Sequence, residues 1–438
     1  MLKENLSFEN EENKKMKILI LSGEVWKDVT NGGNILTGMF SDFDAEFSQV
    51  YCRGGTPENN ICYHYYQMTD MMIFKSLIKH RPVGREFYIE KDHPYSSLQQ
   101  NQALYSFFHE YRLPLFFAMR HLAWNCSNWK NYKFKAFLDS VNPDIIFAPC
   151  YGDCFKLKLT RFVAEYTGKP VISYISDDSY TLRQLSFSPL YWINRFSVRH
   201  QLCKTFPYYS LVYTMTEAQK AQCEKDFGVN MKVLLKSSPF GDIPAKKTVG
   251  VPIRLVYAGG IYLNRWKTLA SIAKSLREIN RNRVKMILDI YTGNDISPKI
   301  KKLLNDGVNS TVHSSVSQKE LAEIYQNSDI ALHVESFDLK NRLTVRMSFS
   351  TKIVDCLASG CAVMAICDEK QGGFEYLKNE DAAICISDAA KIKGKLMELV
   401  NSPTYILGYA KKARDCCRRN HDKNAITQMI KEDFGNTV

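Results

Sequence analysis

The sequence predicts an α/β protein built from two successive parallel-sheet domains. Apolar β-rich runs alternate with helical patterns from end to end, which is the rhythm of parallel α/β layers. That rhythm stops once, between Ser237 and Pro252, where Ser, Pro, Gly and Lys cluster, and then restarts. The 438 residues, 45% of them hydrophobic, are enough for two domains that each bury a core.

Residues 1–15 are polar, rich in Glu, Asn and Lys, and read as a disordered leader. The first domain is expected over residues 16–240, with strands at Lys17–Leu21, Phe47–Cys52, Asp144–Ala148, Val171–Ile175 and Leu211–Tyr213. Glu217–Phe227 reads as a helix stopped by Gly228. Residues 60–135 are less regular and richer in aromatics, and read as a helical insertion. The second domain, residues 250–438, carries strands at Arg254–Tyr257, Met286–Tyr291, Ile330–Val334, Ala362–Ile366 and Ala383–Ile386. Helices are expected between them at Thr268–Ile279, Gln318–Gln326 and Lys352–Ser359. The tail from Ser402 is helical and basic, and its last helix can pack back on the first domain.

Thirteen cysteines occur without a C-x-x-C pair, and the nearest approach, Cys150 and Cys154, has no matching Cys/His partner. A disulfide framework and a zinc site are therefore not expected, and the usage fits a reducing cytosol. No run is long enough to span a bilayer and no signal-peptide layout opens the chain, so the expected address is cytoplasmic, with the inner face of the membrane as a peripheral site. The formal net charge of +12 suits nucleic acid, an anionic membrane surface or phosphorylated small molecules. No nucleic-acid module accompanies it, so nucleic acid is not an expected partner.

Ligands of such sheets bind outside the carboxyl ends of the strands. Three segments with chemistry lie there. In Ala258–Lys267, Gly259 and Gly260 let the backbone approach a phosphate at a helix start, and Arg265 can add a bidentate contact, against the plainer reading of a βα turn with an exposed Arg and Lys267. In Ser350–Val363, Thr351 suits an N-cap beside Ser350, and Lys352 sits in the first turn, where the helix dipole disfavours a cation unless an anion compensates. Asp355 lies one turn further on and can accept from ribose hydroxyls; the plainer reading is a helix packed by Ile353, Val354 and Leu357. In Gly372–Glu375, paired glycines Gly372 and Gly373 precede a helix, and Glu375 can hold sugar hydroxyls.

The order of these pieces, with Glu335 between the first two, resembles the C-terminal domain of glycosyltransferase family four. The likeness rests on the Gly-Gly…Arg strand end, Ile330–Phe337, Val354–Val363 and Gly372–Glu375, and covers roughly residues 254–390. The resemblance implies the GT-B fold, two Rossmann-like domains with an interdomain cleft, and retaining transfer from a nucleoside-diphosphate sugar. It implies Arg265 and Lys352 on the diphosphate, Asp355 on the ribose and Glu335 near the donor sugar, with Gly259, Gly260, Lys267, Ser350, Thr351, Gly372, Gly373 and Glu375 lining the donor. Asp355 stands where the family has glutamate. An insertion, Asp338–Phe349, leaves nineteen residues between Glu335 and Asp355 in place of the usual seven.

In the first half the family often places a Gly-Gly after the first strand, here Gly32 and Gly33, with N–H groups facing the acceptor. Asp177 and Asp178 end the strand Val171–Ile175 and are acceptor candidates or local caps. No G-x-G-x-x-G follows the first strand, and the triplet Asp42-Phe43-Asp44 sits after a helix, so no dinucleotide, metal or other cofactor is expected. His333 reads as a core histidine. Lys75, Lys79, Arg81 and Arg85 interleave with Phe74, Leu77, Ile78 and Val83; Trp124, Trp129, Tyr132 and Phe134 interleave with Lys130, Lys133 and Lys135. Both patterns suit an anionic leaflet, and an ordinary solvated basic face equally. The expected function is transfer of a sugar from a nucleoside-diphosphate sugar to a glycan or lipid-linked glycan in surface polysaccharide biosynthesis. A nucleotide-sugar epimerase of the same fold and a non-catalytic sugar-nucleotide-binding protein are the alternatives.

Overall fold

The computed structural model describes residues 15–438 apart from Val29, His80, residues 90–119, His121, Tyr151, Pro239 and Asp242. The expected leader, save Lys15, and the middle of the expected insertion lie outside the described residues. Two compact units form: one from the described residues up to Ser173 with Lys204–Leu211 and Ile430–Val438, the other from Tyr174–Cys203 and Val212–Met429. The stretch Ser237–Pro252 carries neither helix nor strand among its described residues. Among the described residues no helix is long and apolar enough to cross a membrane.

Eight strands form the first sheet: β1 (Met16–Ser22), β2 (Ala45–Tyr51), β3 (His64–Gln67), β4 (Arg85–Tyr88), β5 (Ile145–Pro149), β6 (Val171–Ile175), β7 (Tyr209–Thr214) and β8 (Met231–Val233). Their order is β4-β3-β2-β1-β5-β6-β7-β8. β1 pairs in parallel with β2 and β5, and β4 is antiparallel to β3. Every residue of β5 and β6 is buried, as expected of parallel strands covered on both faces.

The stretch 60–135 differs from the helical insertion that its composition predicts. Among its described residues it contributes β3 and β4 to the sheet, while the helices Asp70–Lys79 and Tyr132–Val141 and the helical residues 122–126 fit the expectation. Several of its described aromatics are core: Tyr66 packs on Phe134 and Phe137 with ring centroids 5.0 and 5.1 Å apart, whereas Phe74, Tyr88 and Tyr132 are exposed. A four-residue strand is too short to display a period of two, which hides it from pattern reading.

The second sheet contains β9 (Ile253–Ala258), β10 (Met286–Tyr291), β11 (Ser310–His313), β12 (Ile330–Val334), β13 (Ala362–Ile366) and β14 (Ile384–Ile386), in the order β11-β10-β9-β12-β13-β14. All five pairings are parallel. The helix Arg265–Ile279 buries Leu269, Ile272, Leu276 and Ile279, one stripe at helical spacing, against Leu255, Leu288 and Ile290 of this sheet. The insertion Asp338–Phe349 folds as a short helix, Leu339–Val345.

The last helix, Lys423–Gly435, ends in residues that cluster with the first unit. Phe434 is fully buried there, its ring 5.7 Å from Phe40, 5.5 Å from Phe43 and 6.1 Å from Phe147. Truncation removes an aromatic from a four-ring cluster, so Phe434→Ala is expected to destabilise by about 4 kcal/mol in urea unfolding. A loss below about 1 kcal/mol would show that the helix end is not part of this core.

Candidate functional site

In the second sheet β9 pairs with β10 on one side and β12 on the other, so the chain order reverses at β9. A crevice outside the carboxyl ends of β9 and β12 is the place such a sheet offers a ligand. Gly259 and Gly260 follow β9, and Glu335 follows β12.

Arg265, the first residue of its helix, reaches across that reversal to Glu335. Its Nε and Nη2 donate to Oε2 and Oε1 at 2.7 and 2.8 Å, a bidentate pair with both residues buried. Thr268 Oγ1 donates to the Glu335 carbonyl at 2.7 Å. Burial opposes the Arg265 charge, but the hydrogen bonds and charge of Glu335 outweigh it and hold the guanidinium protonated above its ordinary value. Its Nη1 is buried without a hydrogen-bond partner, and its carbon lies 4.7 Å from the Tyr262 ring centroid.

Lys352 enters from the helix Lys352–Ala358. Its Nζ donates to Tyr257 Oη at 3.3 Å, and that hydroxyl donates to the Gly260 carbonyl at 2.6 Å. Gly259 has φ +148, and a Cβ there would lie 2.1 Å from Lys352 Cε and Nζ. The missing side chain is what lets the lysine cross the strand end. Burial, and after it the charge of Arg265, lowers the Lys352 ammonium from its usual range to about 8. Burial likewise holds His333, a core residue of β12, at about 4 and neutral.

The loop from Gly259 to the helix is held in an uncommon shape. Leu263 and Asn264 have φ of 54 and 59. Asn264 does not cap with its side chain; its Nδ2 donates to Asp338 Oδ2 at 2.7 Å. Ile261 N–H donates to Asn294 Oδ1 at 2.8 Å. Lys267, expected among the residues lining the donor, pairs with the same Asp338 oxygen at 2.8 Å and is exposed.

The remaining expected donor-site residues take the following places. Thr351 stands at the N-cap position of the helix Lys352–Ala358, but its backbone is already right-handed helical (φ −56, ψ −24) and its side chain makes no cap bond; the Ser350 carbonyl before it accepts from Ile353 N–H at 2.9 Å. Asp355 is approached by Lys236 Nζ at 3.4 Å, and burial raises its carboxyl against that pull. The Gly372 N–H is taken by the Arg346 carbonyl at 2.9 Å. A Cβ on Gly372 would meet Thr216 at 2.7 Å and one on Gly373 would meet Ile353 at 2.5 Å, so this pair serves close packing. Glu375 is exposed. Arg346, which sequence reasoning passes over, carries two buried guanidinium nitrogens without partners. Tyr257 and Lys236 are also missed; the only local signal is a hydroxyl at a strand end next to Gly-Gly.

In the first unit, a Cβ on Gly33 would sit 1.8 Å from the Lys27 carbonyl oxygen, and the Gly33 N–H donates to the cap residue Thr30 at 3.2 Å. That N–H is a cap bond and does not face an acceptor; Gly32 lies beside it in the first turn. Asp178 is buried and fully committed: it accepts from Arg195 Nη2 at 2.7 Å, Thr181 N–H at 2.9 Å and Gln184 Nε2 at 3.1 Å. Asp177 is exposed and accepts from Ser348 Oγ at 3.0 Å. Of the basic-aromatic segments, Trp124, Trp129 and Phe134 are buried, with Lys130 stacked 5.2 Å from the Trp129 ring, while Tyr132 of the same segment and Phe74 and Ile78 of the other are exposed. Among the described residues no group of three or more His, Cys, Asp or Glu is placed to hold a metal ion.

Known proteins add to this picture. Residues 272–432 match the family model described as glycosyl transferase-like. No curated protein matches the sequence. Among solved structures, HepE of Anabaena in complex with UDP superposes with a TM-score of 0.61 at 12% identity, covering 96% of this chain and 100% of that one. The trehalose-6-phosphate protein of E. coli bound with UDP-2-fluoro glucose gives 0.58 at 12% identity, over 96% and 99%. Sucrose-phosphate synthase of Thermosynechococcus elongatus gives 0.60 at 11% identity, over 96% and 98%. The shared fold is GT-B, two parallel-sheet domains in one chain.

The two neighbouring acids make a direct test of this geometry. Asp178→Ala leaves Arg195 buried and unpaired, and is expected to cost about 3 kcal/mol of stability. Asp177→Ala, at an exposed position, is expected to stay within about 0.5 kcal/mol of the parent. Equal losses in denaturant titrations would contradict the assignment.

Proposed function

We propose that this chain is a glycosyltransferase that draws its sugar from a nucleoside-diphosphate sugar bound at the carboxyl ends of β9 and β12. The observation that carries the reading is the pair of cations there, Arg265 buried with an unpartnered Nη1 and Lys352 partly buried with a depressed ammonium, beside the carboxylate of Glu335 to which Arg265 is bound. Burial, and after it the Arg265 charge, depresses the Lys352 ammonium, so two cations that repel one another at the reversal point of a parallel sheet favour an added anion. The glycosyl transferase-like match over residues 272–432 supports it, as do neighbours of the same fold that hold UDP or a UDP-sugar derivative.

Glycosyl transfer separates charge between an oxocarbenium-like sugar and a diphosphate leaving group. Arg265 and Lys352 stabilise the departing charge in a site that Tyr257 and Gly259 keep in register. Glu335 acts as a positioning residue through its bidentate hold on the guanidinium. Asp355 is assigned to the ribose and Glu375 to the donor sugar. Asp177, exposed beside Ser348, is assigned to the acceptor, a hydroxyl of a glycan or lipid-linked glycan. Retention of configuration, independence from metal and a role in surface polysaccharide biosynthesis belong to the same proposal.

Thermal-shift screening of nucleoside diphosphates is expected to give a stabilising hit, and Lys352→Ala is expected to lower transfer by about a hundredfold or more. No hit across the panel, or unchanged transfer, rejects the reading. Lys352 is charged below about pH 8 and neutral above it, and a bound diphosphate favours the charged form. Diphosphate affinity is therefore expected to fall about tenfold between about pH 7 and about pH 9, and to flatten in Lys352→Arg, whose charge persists. A flat profile in the parent protein, measured by calorimetry, places the ammonium outside the binding step.

A further inference from the structure

The surface between Leu182 and Phe196 is apolar where a soluble helix is normally polar. Leu182, Leu185, Phe187, Leu190, Ile193 and Phe196 all stand exposed, Phe187 at 95% and Ile193 at 61%. They occupy the loop before, and the first turns of, the helix Pro189–Thr205. That helix buries Arg195, Val198 and Leu202, one stripe at helical spacing. Leu190, Ile193 and Phe196 fall on the opposite side, with His200 and Lys204 continuing that outer side toward the C-terminus. Trp192 Nε1 donates to the Ser186 carbonyl at 2.9 Å, which fixes the turn that projects Phe187.

Charge decides what covers this face. From Ser179 to Thr216 the chain contains no Asp or Glu, while Arg183, Arg195, Arg199 and Lys204 fall within it. Arg195 is spent on Asp178 and Arg199 on Asp226, which leaves Arg183 and Lys204 exposed at the two ends of the apolar band. A second copy of the same face would set these cations against themselves, because a two-fold contact is self-complementary. An apolar ridge flanked by cations matches a leaflet whose headgroups are anionic and whose interior is hydrocarbon.

We propose that this face seats the protein on an anionic phospholipid surface, with Phe187, Leu190, Ile193 and Phe196 entering below the headgroups and Arg183 and Lys204 meeting the phosphates. Its residues differ from those of the two segments that the sequence pattern singles out, one of which buries Trp124 and Trp129 while the other exposes Phe74 and Ile78. The inference does not depend on the donor-site reading, since its readout requires no turnover.

The test is flotation of the full chain with vesicles of phosphatidylcholine alone, or of phosphatidylcholine and phosphatidylglycerol in equal parts. The parent protein is expected to float with the anionic vesicles and not with the neutral ones. Phe187→Ser combined with Ile193→Ser is expected to weaken that binding about tenfold or more. Arg183→Gln combined with Lys204→Gln is expected to weaken it and reduce its salt dependence. Because all four side chains are exposed, melting followed by circular dichroism should match the parent, which separates lost binding from lost folding. Absence of binding to anionic vesicles overturns the proposal. So does undiminished binding by the Phe187/Ile193 variant, or its loss only in Phe74→Ser with Ile78→Ser. A dimer in sedimentation velocity that becomes a monomer in the Phe187/Ile193 variant overturns it too, by assigning the face to a second copy.

Discussion

The buried pair of Arg265 and Glu335 is the interaction around which the second sheet's carboxyl edge is arranged. Removing two charges from water is costly, and only near-ideal geometry with further hydrogen bonds offsets it. Both conditions are met: the fork is bidentate, and Thr268 fixes the peptide that carries Glu335. Arg265 begins the helix that follows β9 and Glu335 follows β12, the two strands paired at the reversal of chain order, so the pair ties their carboxyl ends together. A helix start in a left-handed turn follows from the same requirement, since Arg265 must leave β9 after only a few residues and point back over it.

Around that pair the other titratable groups take their character by position. Lys352 is close enough to Arg265 for the guanidinium to depress it, and glycine at 259 gives it room to lie there. His333 shares the burial and stays neutral, so it adds no third cation. Tyr257 passes hydrogen bonds from the ammonium to the loop carbonyl and thereby links strand, loop and helix.

Much of the scaffold was legible because burial writes simple patterns. β12 and β13 are buried throughout and appear as continuous apolar runs, while Thr216 and Gly228 bracket the helix Glu217–Phe227 with a cap and a left-handed stop. The short strands β3, β8 and β11 are too brief for a period. The order of residues along the chain brought Arg265, Glu335 and Lys352 forward, but not the pairing of Arg265 with Glu335 or the contact of Lys352 with Tyr257. Lys267 with Asp338 and Lys236 with Asp355 join positions 71 and 119 residues apart, and no local spacing records such contacts. The Trp124–Lys135 segment is ambiguous for a related reason: aromatics alternating with lysines describe a helix rim over a core as well as they describe a bilayer interface, and here Trp124, Trp129 and Phe134 are buried while Tyr132 is exposed.

The Asp338 carboxylate has a wider consequence. It receives Asn264 and Lys267 at once, so the insertion and the glycine-rich turn behave mechanically as one piece. The left-handed Leu263 is disfavoured by roughly 1–2 kcal/mol on its own, and this brace is what keeps it from relaxing. A segment that looks like an interruption of a familiar pattern thus supplies the buttress for the turn that aims the guanidinium, and the two would have to change together for either to change at all.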